Sequence, residues 1–575
     1  MAALYKTVSI EIADYKAAIE RWTTILESTH SWGTPQRVRI GASAAFSTEI
    51  EHDMIKMGDS RLLASLGNWG AQQPPNPNFE AQVLIDFLRK LPSLSDLEWQ
   101  TSTPLAPPLL QFLRHQLPSC NLHLKPLHIP FGADPYSIWS VLCLPSLQTI
   151  WLERKEPCNI QDLVQHILRS PGGNLRELRI SWPSTGGASP FGEPSPIPWD
   201  LGLEPHDGER LGQLQYLQLA GNEGAEATSL QTWARHTDFG QLRALSLEIF
   251  VDREALETLI NLPLQSLHSL GLVVLDMSDD YSAALQTFIG NLPSLSHLRL
   301  TGTLPPSALK AILDHLDSTL HTLYLIPESL NPCRFVFDSS TIALVTDRCK
   351  HVRELGTSIR RAWNKPGEDI AVLKAIGRMP HLSSLSLTFD VSDYTLLVRS
   401  NDDNSEPRDL APSDPSFSAF DTEPFQFGSD TDKQPRNGHI RDALINSAVD
   451  AELAKAVFNT VLSATPEGET PSLQRLSLKA TRGGHFGTSA LNGGISWIAR
   501  EVGKEWIVER SGHDDVLEVR RAEVDDEEEV VELSESESES ASLTWELPWD
   551  IKPIFRRIWP GDGDWINEWH AFPLV

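Results

Sequence analysis

The hexad LxxLxL recurs along most of the chain, and this pattern sets narrow limits on what the sequence can fold into. It reads LSDLEW from Leu94, LQTIWL from Leu147, LRELRI from Leu175, LQYLQL from Leu214 and LRALSL from Leu242. It continues as LHSLGL from Leu267, LSHLRL from Leu295, LHTLYL from Leu320, LSSLSL from Leu382 and LQRLSL from Leu473. Between Leu214 and Leu320 the starts lie 28, 25, 28 and 25 residues apart, the period of a leucine-rich repeat. The last two apolar residues of each hexad stand two apart, so they share one face of a short strand. Between hexads the period turns helical: Leu285, Phe288, Ile289 and Leu292 stand at i, i+3, i+4 and i+7, as do Leu309, Ile312, Leu313 and Leu316. No strand-turn-helix unit of this size can bury its own leucines, so neighbours must stack. The expected fold is an α/β leucine-rich-repeat solenoid, a horseshoe with parallel strands on the concave face and helices outside.

At 575 residues the chain is too long for one ordinary core, which suits an elongated array. Its net charge of -29 is unevenly placed. Ala522 to Ser540 carries -10 and Asn401 to Ile440 carries -6, leaving -13 for the remaining 516 residues. Nucleic acid is excluded as a direct partner, because phosphate binding relies on clustered Lys and Arg. Five cysteines without a CxxC pair (Cys120, Cys143, Cys158, Cys333, Cys349) fit a reducing compartment, so a cytoplasmic or nuclear protein is expected. Lys6, Glu11 and Asp14 interrupt what would be a signal peptide, and no 18-residue apolar run marks a membrane span.

Breaks in the pattern divide the chain. Residues 1–78 read as an N-terminal cap, with an amphipathic helix over 17–26 that sets Ile19, Trp22 and Ile25 on one face. Residues 79–391 form the array, interrupted by a Pro/Gly-rich loop near 182–210. Residues 392–440 read as an acidic disordered insertion, and 441–480 as the last helix and repeat strand. An exit loop and hairpin follow over 481–521, with KEWIVER and DVLEVRR as its strands, and then an acidic disordered run over 522–542. The segment 543–575 holds Trp545, Trp549, Trp559, Trp565 and Trp569, more apolar area than water tolerates, and is expected to pack on the array.

The PSLxxLxL units, the variant CKHVREL from Cys349 and the ending IWPGDGDWINEWHAFPL resemble the fungal F-box-like leucine-rich-repeat proteins, over roughly Phe79 to the carboxyl terminus. The resemblance implies a substrate receptor of a cullin-RING ubiquitin ligase, in which an F-box holds the ligase adaptor and the repeats hold a substrate. The family's F-box opens with Leu-Pro, and here no Leu-Pro precedes Leu91. The adaptor is therefore expected as a partner only where an F-box lies upstream. The alternatives are an interaction scaffold without a ligase link and an enzyme with a dispersed site.

Motifs that carry chemistry are sparse. His115, Cys120, His123 and His128 have zinc-binding types, but NLHLKPLHI alternates like a strand, so neither metal nor any cofactor is expected. The glycine-rich TRGGHFGTSALNGG lacks a phosphate-loop lysine, and no GxSxG or HExxH occurs, so a non-catalytic protein is expected. Ser534 and Ser536 each have Glu three residues on and are candidate phosphorylation sites. The third and fifth hexad positions face away from the core. They align Glu98, Trp151, Arg179, Gln218, Ser246, Gly271, Arg299, Tyr324 and Ser386 as one concave-face column, flanked by Thr149, Glu177, Tyr216, His297 and Thr322. Trp151, Arg179, Arg299 and Tyr324, with Tyr216 and His297, are the expected protein-binding residues, because Trp, Tyr and Arg dominate binding hot spots. Truncating the first four is expected to weaken binding while leaving stability nearly unchanged.

Overall fold

The computed structural model describes residues 6–12, 14–41, 80–101, 105–128, 144–153, 174–181, 213–221, 227–274, 278–316, 319–327, 337–361, 363, 367–392, 414–425, 435–465, 471–486, 489–490, 493–510, 516–522 and 547–574. They form an α/β leucine-rich-repeat solenoid in two compact units, residues 1–273 with 278–295 and residues 274–277 with 296–575.

In the first unit nine strands pair in parallel in chain order. They are β1 (Thr7–Glu11), β2 (Arg37–Gly41), β3 (Asp96–Gln100), β4 (Asn121–His128), β5 (Leu147–Glu153), β6 (Glu177–Ser181), β7 (Tyr216–Ala220), β8 (Ala244–Phe250) and β9 (Ser269–Val274). The helices α1 (Tyr15–Ser28), α2 (Ala81–Leu88) and α3 (Pro107–Gln116) pack in sequence, as do α4 (Ala227–His236), α5 (Arg253–Ile260) and α6 (Asp279–Gly290). Among the described residues the parallel array already includes β1 and β2, in the segment 1–78 expected to be a cap, with Val8 and Ile10 of β1 opposite Val38 and Ile40 of β2. Val and Ile stand there where later units carry Leu, and β-branched side chains fill the same buried strand face.

The hexad leucines are the core. Leu178, Leu217, Leu245, Leu270, Leu298 and Leu323 are buried, each opposite its neighbour's equivalent where both strands lie in one unit. Each such burial contributes roughly 2 kcal/mol, which offsets the ordering of the backbone around it. Short polar residues start the helices at fixed places. Asp252 accepts from Ala255 N at 2.7 Å and Ser278 from Tyr281 N at 3.2 Å, so each satisfies an amide that the helix leaves unpaired.

In the second unit β10 (His297–Gly302), β11 (Thr322–Pro327), β12 (Glu354–Arg360), β13 (Ser384–Asp390) and β14 (Arg475–Thr481) are parallel. Their helices are α7 (Pro306–Leu316), α8 (Ser339–Arg348), α9 (Glu368–Ile376), α10 (Asn437–Ser447) and α11 (Ala451–Leu462). A two-stranded β15 (His485–Phe486) and β16 (Ser489–Ala490) and the helix α12 (Gly493–Val502) come next. β17 (Trp506–Arg510) then pairs antiparallel with β14, and β18 (Leu517–Arg521) antiparallel with β17.

A separate apolar cluster joins Phe425, Ile440 of α10, Ile498 of α12, and Phe555, Trp559 and Trp565 around α13 (Lys552–Ile558). Trp549 by contrast is 81% exposed. Arg361, buried just beyond β12, donates to Ala448 O at 2.6 Å and Phe572 O at 2.9 Å, and Ala571 N donates to Asp450 Oδ2 at 2.8 Å. The final residues are thereby tied to the junction of α10 and α11.

The acidic segment 392–440 is corrected in part. Residues 414–425 and 435–440 are ordered against α10: Asn437 N donates to Glu423 O, and Arg441 pairs with the buried Asp421 at 2.5 Å. Phe417, Phe420 and Phe425 supply the apolar contacts that the net charge of the segment obscured. The region read as one last helix holds two, α10 and α11, and α10 begins inside the supposed insertion.

Candidate functional site

The open face of the sheet is built by alternation, because every second strand residue points away from the leucine core. In the first unit the register places Trp151, Arg179, Gln218, Ser246 and Gly271 side by side, with Thr149, Glu177 and Tyr216 in the row beneath. In the second unit one row runs Arg299, Tyr324, Gly356, Ser386, Ser477, and the next His297, Thr322, Glu354, Ser384, Arg475. Arg299 and Tyr324 are direct cross-strand neighbours, as their 25-residue offset predicts.

Glu98 departs from the expected column. It stands opposite His123, and His123 stands opposite Thr149, so Glu98 belongs to the row of Glu177. Two register shifts interrupt the β4–β5 ladder, and Pro126, which withholds a ladder donor, lies at the second of them. Lys125 takes the place beside Trp151, with Nζ 5.4 Å from the ring centre.

Glu177 is the hub of the first unit's face. One carboxylate oxygen accepts from Trp151 Nε1 at 3.0 Å and Arg179 Nε at 2.7 Å, and the other from Thr149 Oγ1 at 3.3 Å. The Arg179 guanidinium lies 4.0 Å over the Trp151 ring and 4.8 Å from that of Tyr216, a cation between two aromatic faces. Burial works to raise the Glu177 pKa, but Arg179 and Lys125 beside it outweigh burial and hold the carboxyl below its ordinary value. Burial pushes the Tyr216 phenol up to about 12 and lowers the Lys125 ammonium. One step along, Glu98 takes Arg39 Nε at 3.0 Å and Arg37 Nε at 3.4 Å. His123 bridges Asp96 at 3.2 Å and Thr149 at 2.9 Å.

Trp151, Arg179, Tyr216, Arg299 and Tyr324 are each less than a tenth exposed. The expectation that such side chains can be truncated at almost no cost in stability therefore fails. On closely spaced parallel strands, long side chains cover one another laterally, and the polar heads of Trp151 and Arg179 are satisfied by Glu177 instead of water. Sequence reasoning also missed Arg37, Arg39, Asp96 and Lys125, whereas His123, read as a polar residue of an alternating strand, does lie on the open face. The alternation RVRI from Arg37, which sets an arginine at two successive open-face positions, was the available signal.

The remaining candidates separate. Ser534 and Ser536 lie outside the described residues. Cys120 is a buried thiol pushed up to about 12, chiefly by desolvation, which makes it a poor metal ligand at neutral pH. Among the described residues no group of three His, Cys, Asp or Glu is placed to hold a metal ion. Gly483 packs so closely that a Cβ there would lie 1.9 Å from Ser447 Oγ, so the glycine-rich stretch serves helix packing. No described helix is long and apolar enough to cross a membrane.

No protein-family profile and no curated protein matches the chain. Among solved structures, one that matches is the crystal structure of the TLR13–ssRNA13 complex, at 12% identity and a TM-score of 0.29. That alignment covers 68% of this chain and 52% of the other, so the chain spans about half the length of that protein. At this level of superposition the likeness carries no argument, and the assignment of the chain as a leucine-rich-repeat solenoid rests on its own repeats and parallel sheet.

Proposed function

We propose that this solenoid is a non-catalytic protein-binding module whose partner seats on the open face of its sheet. The observation that carries this reading is the preorganised cluster of Trp151, Arg179 and Tyr216. These side chain types dominate hot spots, and here packing and the Glu177 carboxylate already fix them. A partner that lays its own groups against their edges meets rotamers that lose little further entropy on binding. Arg299, Tyr324 and His297 form the corresponding patch in the second unit. A photo-crosslinking residue at Ser246 or Ser384, both half-buried on the open face, tests this against one at Thr287, exposed on α6. Discrete adducts from the two open-face positions and none from Thr287 are expected. Adducts from the helix alone would overturn it.

A finer reading, that the bound protein is a ubiquitylation substrate and this chain an F-box-like receptor, rests on the PSLxxLxL, CKHVREL and IWPGDGDWINEWHAFPL segments. Residues 7–41 belong to the repeats, so this reading places the adaptor contact on an F-box ahead of Met1. Residues 1–575 by themselves are expected not to co-purify the adaptor, and efficient capture by them would show that the contact lies elsewhere.

A further inference from the structure

β18 stands last in the strand order of its sheet, and its outer edge pairs with nothing among the described residues. Ala522 N donates to Glu505 O at 2.9 Å, which fixes the alternation along the strand. The amides of Glu518 and Arg520 point to β17, and the N–H and C=O groups of Leu517, Val519 and Arg521 point outward. Leu517 and Val519 are half-buried at this edge, and the adjoining Val516 is 59% exposed.

The charge order along this edge is self-complementary. In an antiparallel pairing centred on Val519, Glu518 of each copy stands opposite Arg520 of the other, Val519 meets Val519, and Leu517 lies against the stem of Arg521. Glu518 would gain from such a counter-charge. Inside its own chain it faces Glu509 across the β17–β18 ladder, an unfavourable like-charge pair, and among the described residues it forms no ion pair. Among the described residues Arg520 makes one ion-pair contact, a long one of 3.9 Å with Glu509. Charged side chains on an edge ordinarily discourage strand addition. Here the sequence LEVRR converts that deterrent into two reciprocal attractions when the added strand is its own copy.

We propose that the outer edge of β18 is a self-association site, through which two copies of this chain form a two-fold dimer by antiparallel pairing of Leu517–Arg521. Such a C2 contact is isologous, and its six outward-facing backbone groups per strand become mutually satisfied. A five-residue strand buries little area, so the dimer is weak and forms at the upper end of accessible concentrations.

Sedimentation equilibrium of the full chain over a concentration series up to about 200 μM tests the proposal, with the wild-type mass expected to climb toward that of a dimer. Glu518→Arg and Arg520→Glu singly place like charges opposite each other twice, and each is expected to raise the dimer Kd at least about tenfold. The double variant E518R/R520E re-creates the complementary order and restores association. Val519→Pro removes one outward N–H without touching the ladder to β17, and is expected to abolish dimerisation with unchanged circular dichroism. A wild type that stays monomeric throughout, or a dimer indifferent to the single charge reversals, would overturn the proposal.

Discussion

The open faces of the two units rest on the same backbone repeat and solve the same packing problem in opposite ways. In the first unit, long charged and aromatic side chains interlock: Glu177 gathers Trp151, Arg179 and Thr149, and Glu98 gathers Arg37 and Arg39. In the second, one large ring lies over a residue with no side chain. A Cβ on Gly356 would stand 2.1 Å from Tyr324 Cδ1, and beyond it Ser386 and Ser477 continue the row with small groups. The leucine side of a repeat is fixed by the need for a core, whereas the open side accepts any set of side chains that satisfies itself laterally. Specificity can therefore differ along one array without any change of fold.

The common core is the first place to test that division. Replacing Leu298 and Leu300 together by Ala should cost more than any open-face change, roughly 2 to 5 kcal/mol for each leucine, because both are fully buried. Denaturant unfolding would show it, and the transition is expected to lose its single-step form as adjacent repeats uncouple. An unchanged curve would remove these leucines from the core.

Arg179→Ala probes the charged face. It strands the Glu177 carboxylate among buried neighbours and is expected to cost about 3 kcal/mol, as for breaking a buried ion pair from one side. Removing both charges with E177A/R179A should cost less than the two single changes added together. Additive losses would mean that the two groups are energetically independent despite their contact.

Gly356→Ala probes the aromatic-over-glycine face and is expected to cost roughly 1 to 3 kcal/mol through displacement of the Tyr324 ring. Shortening the ring in Y324S/G356A should recover part of the loss, and a fully stable G356A would show that the ring moves aside freely.

The smallest expected difference lies in the response to acid. Glu177 and Asp96 have folded pKa values below their ordinary 4.5 and 3.8, so their contribution is present above those values and is lost as pH falls through the lower folded ones. His123, whose pKa burial and then Lys125 lower from 6.5, favours its neutral form and adds a loss in the same direction below 6.5. The row Gly356, Ser386, Ser477 carries no titratable side chain. Amide exchange, corrected for intrinsic rates, should therefore show β4 to β6 losing protection on acidification before β12 and β13 do. Equal losses would erase the contrast between the faces.

How much of this was legible in the sequence follows from which interactions are periodic. Leu217, Leu245, Leu270 and Leu298 announce themselves because stacking forces one residue type into one recurring place. β1 and β2 escaped because Val8, Ile10, Val38 and Ile40 satisfy the same burial without spelling the hexad. The place of Glu98 in the row of Glu177 depends on the pairing of β4, which carries no full hexad, with both its neighbours, and the sequence alone does not fix that register. The lateral burial of Arg179 and Trp151 was invisible for a further reason. Alternation tells which way a side chain points, and the neighbour that covers it comes from a strand 26 or 28 residues away, whose register has to be known first.

The tie between Arg361 and Phe572 has a consequence for the order of assembly. The guanidinium donates to backbone oxygens of Asn446, Ala448 and Phe572, and the apolar cluster beside it draws on Phe425, α10, α12 and the segment through Trp565. Repeats can dock one after another as they leave the ribosome, each on the one before. The terminal cluster has no such freedom. Its oldest and youngest pieces are made well over a hundred residues apart, and Arg361 can bond Asn446 and Ala448 early but gains its third acceptor, Phe572 O, only when residue 572 is in place. During that interval the apolar faces of α10 and α12 lack the partners that Phe555, Trp559 and Trp565 supply, so the cluster closes only as a unit.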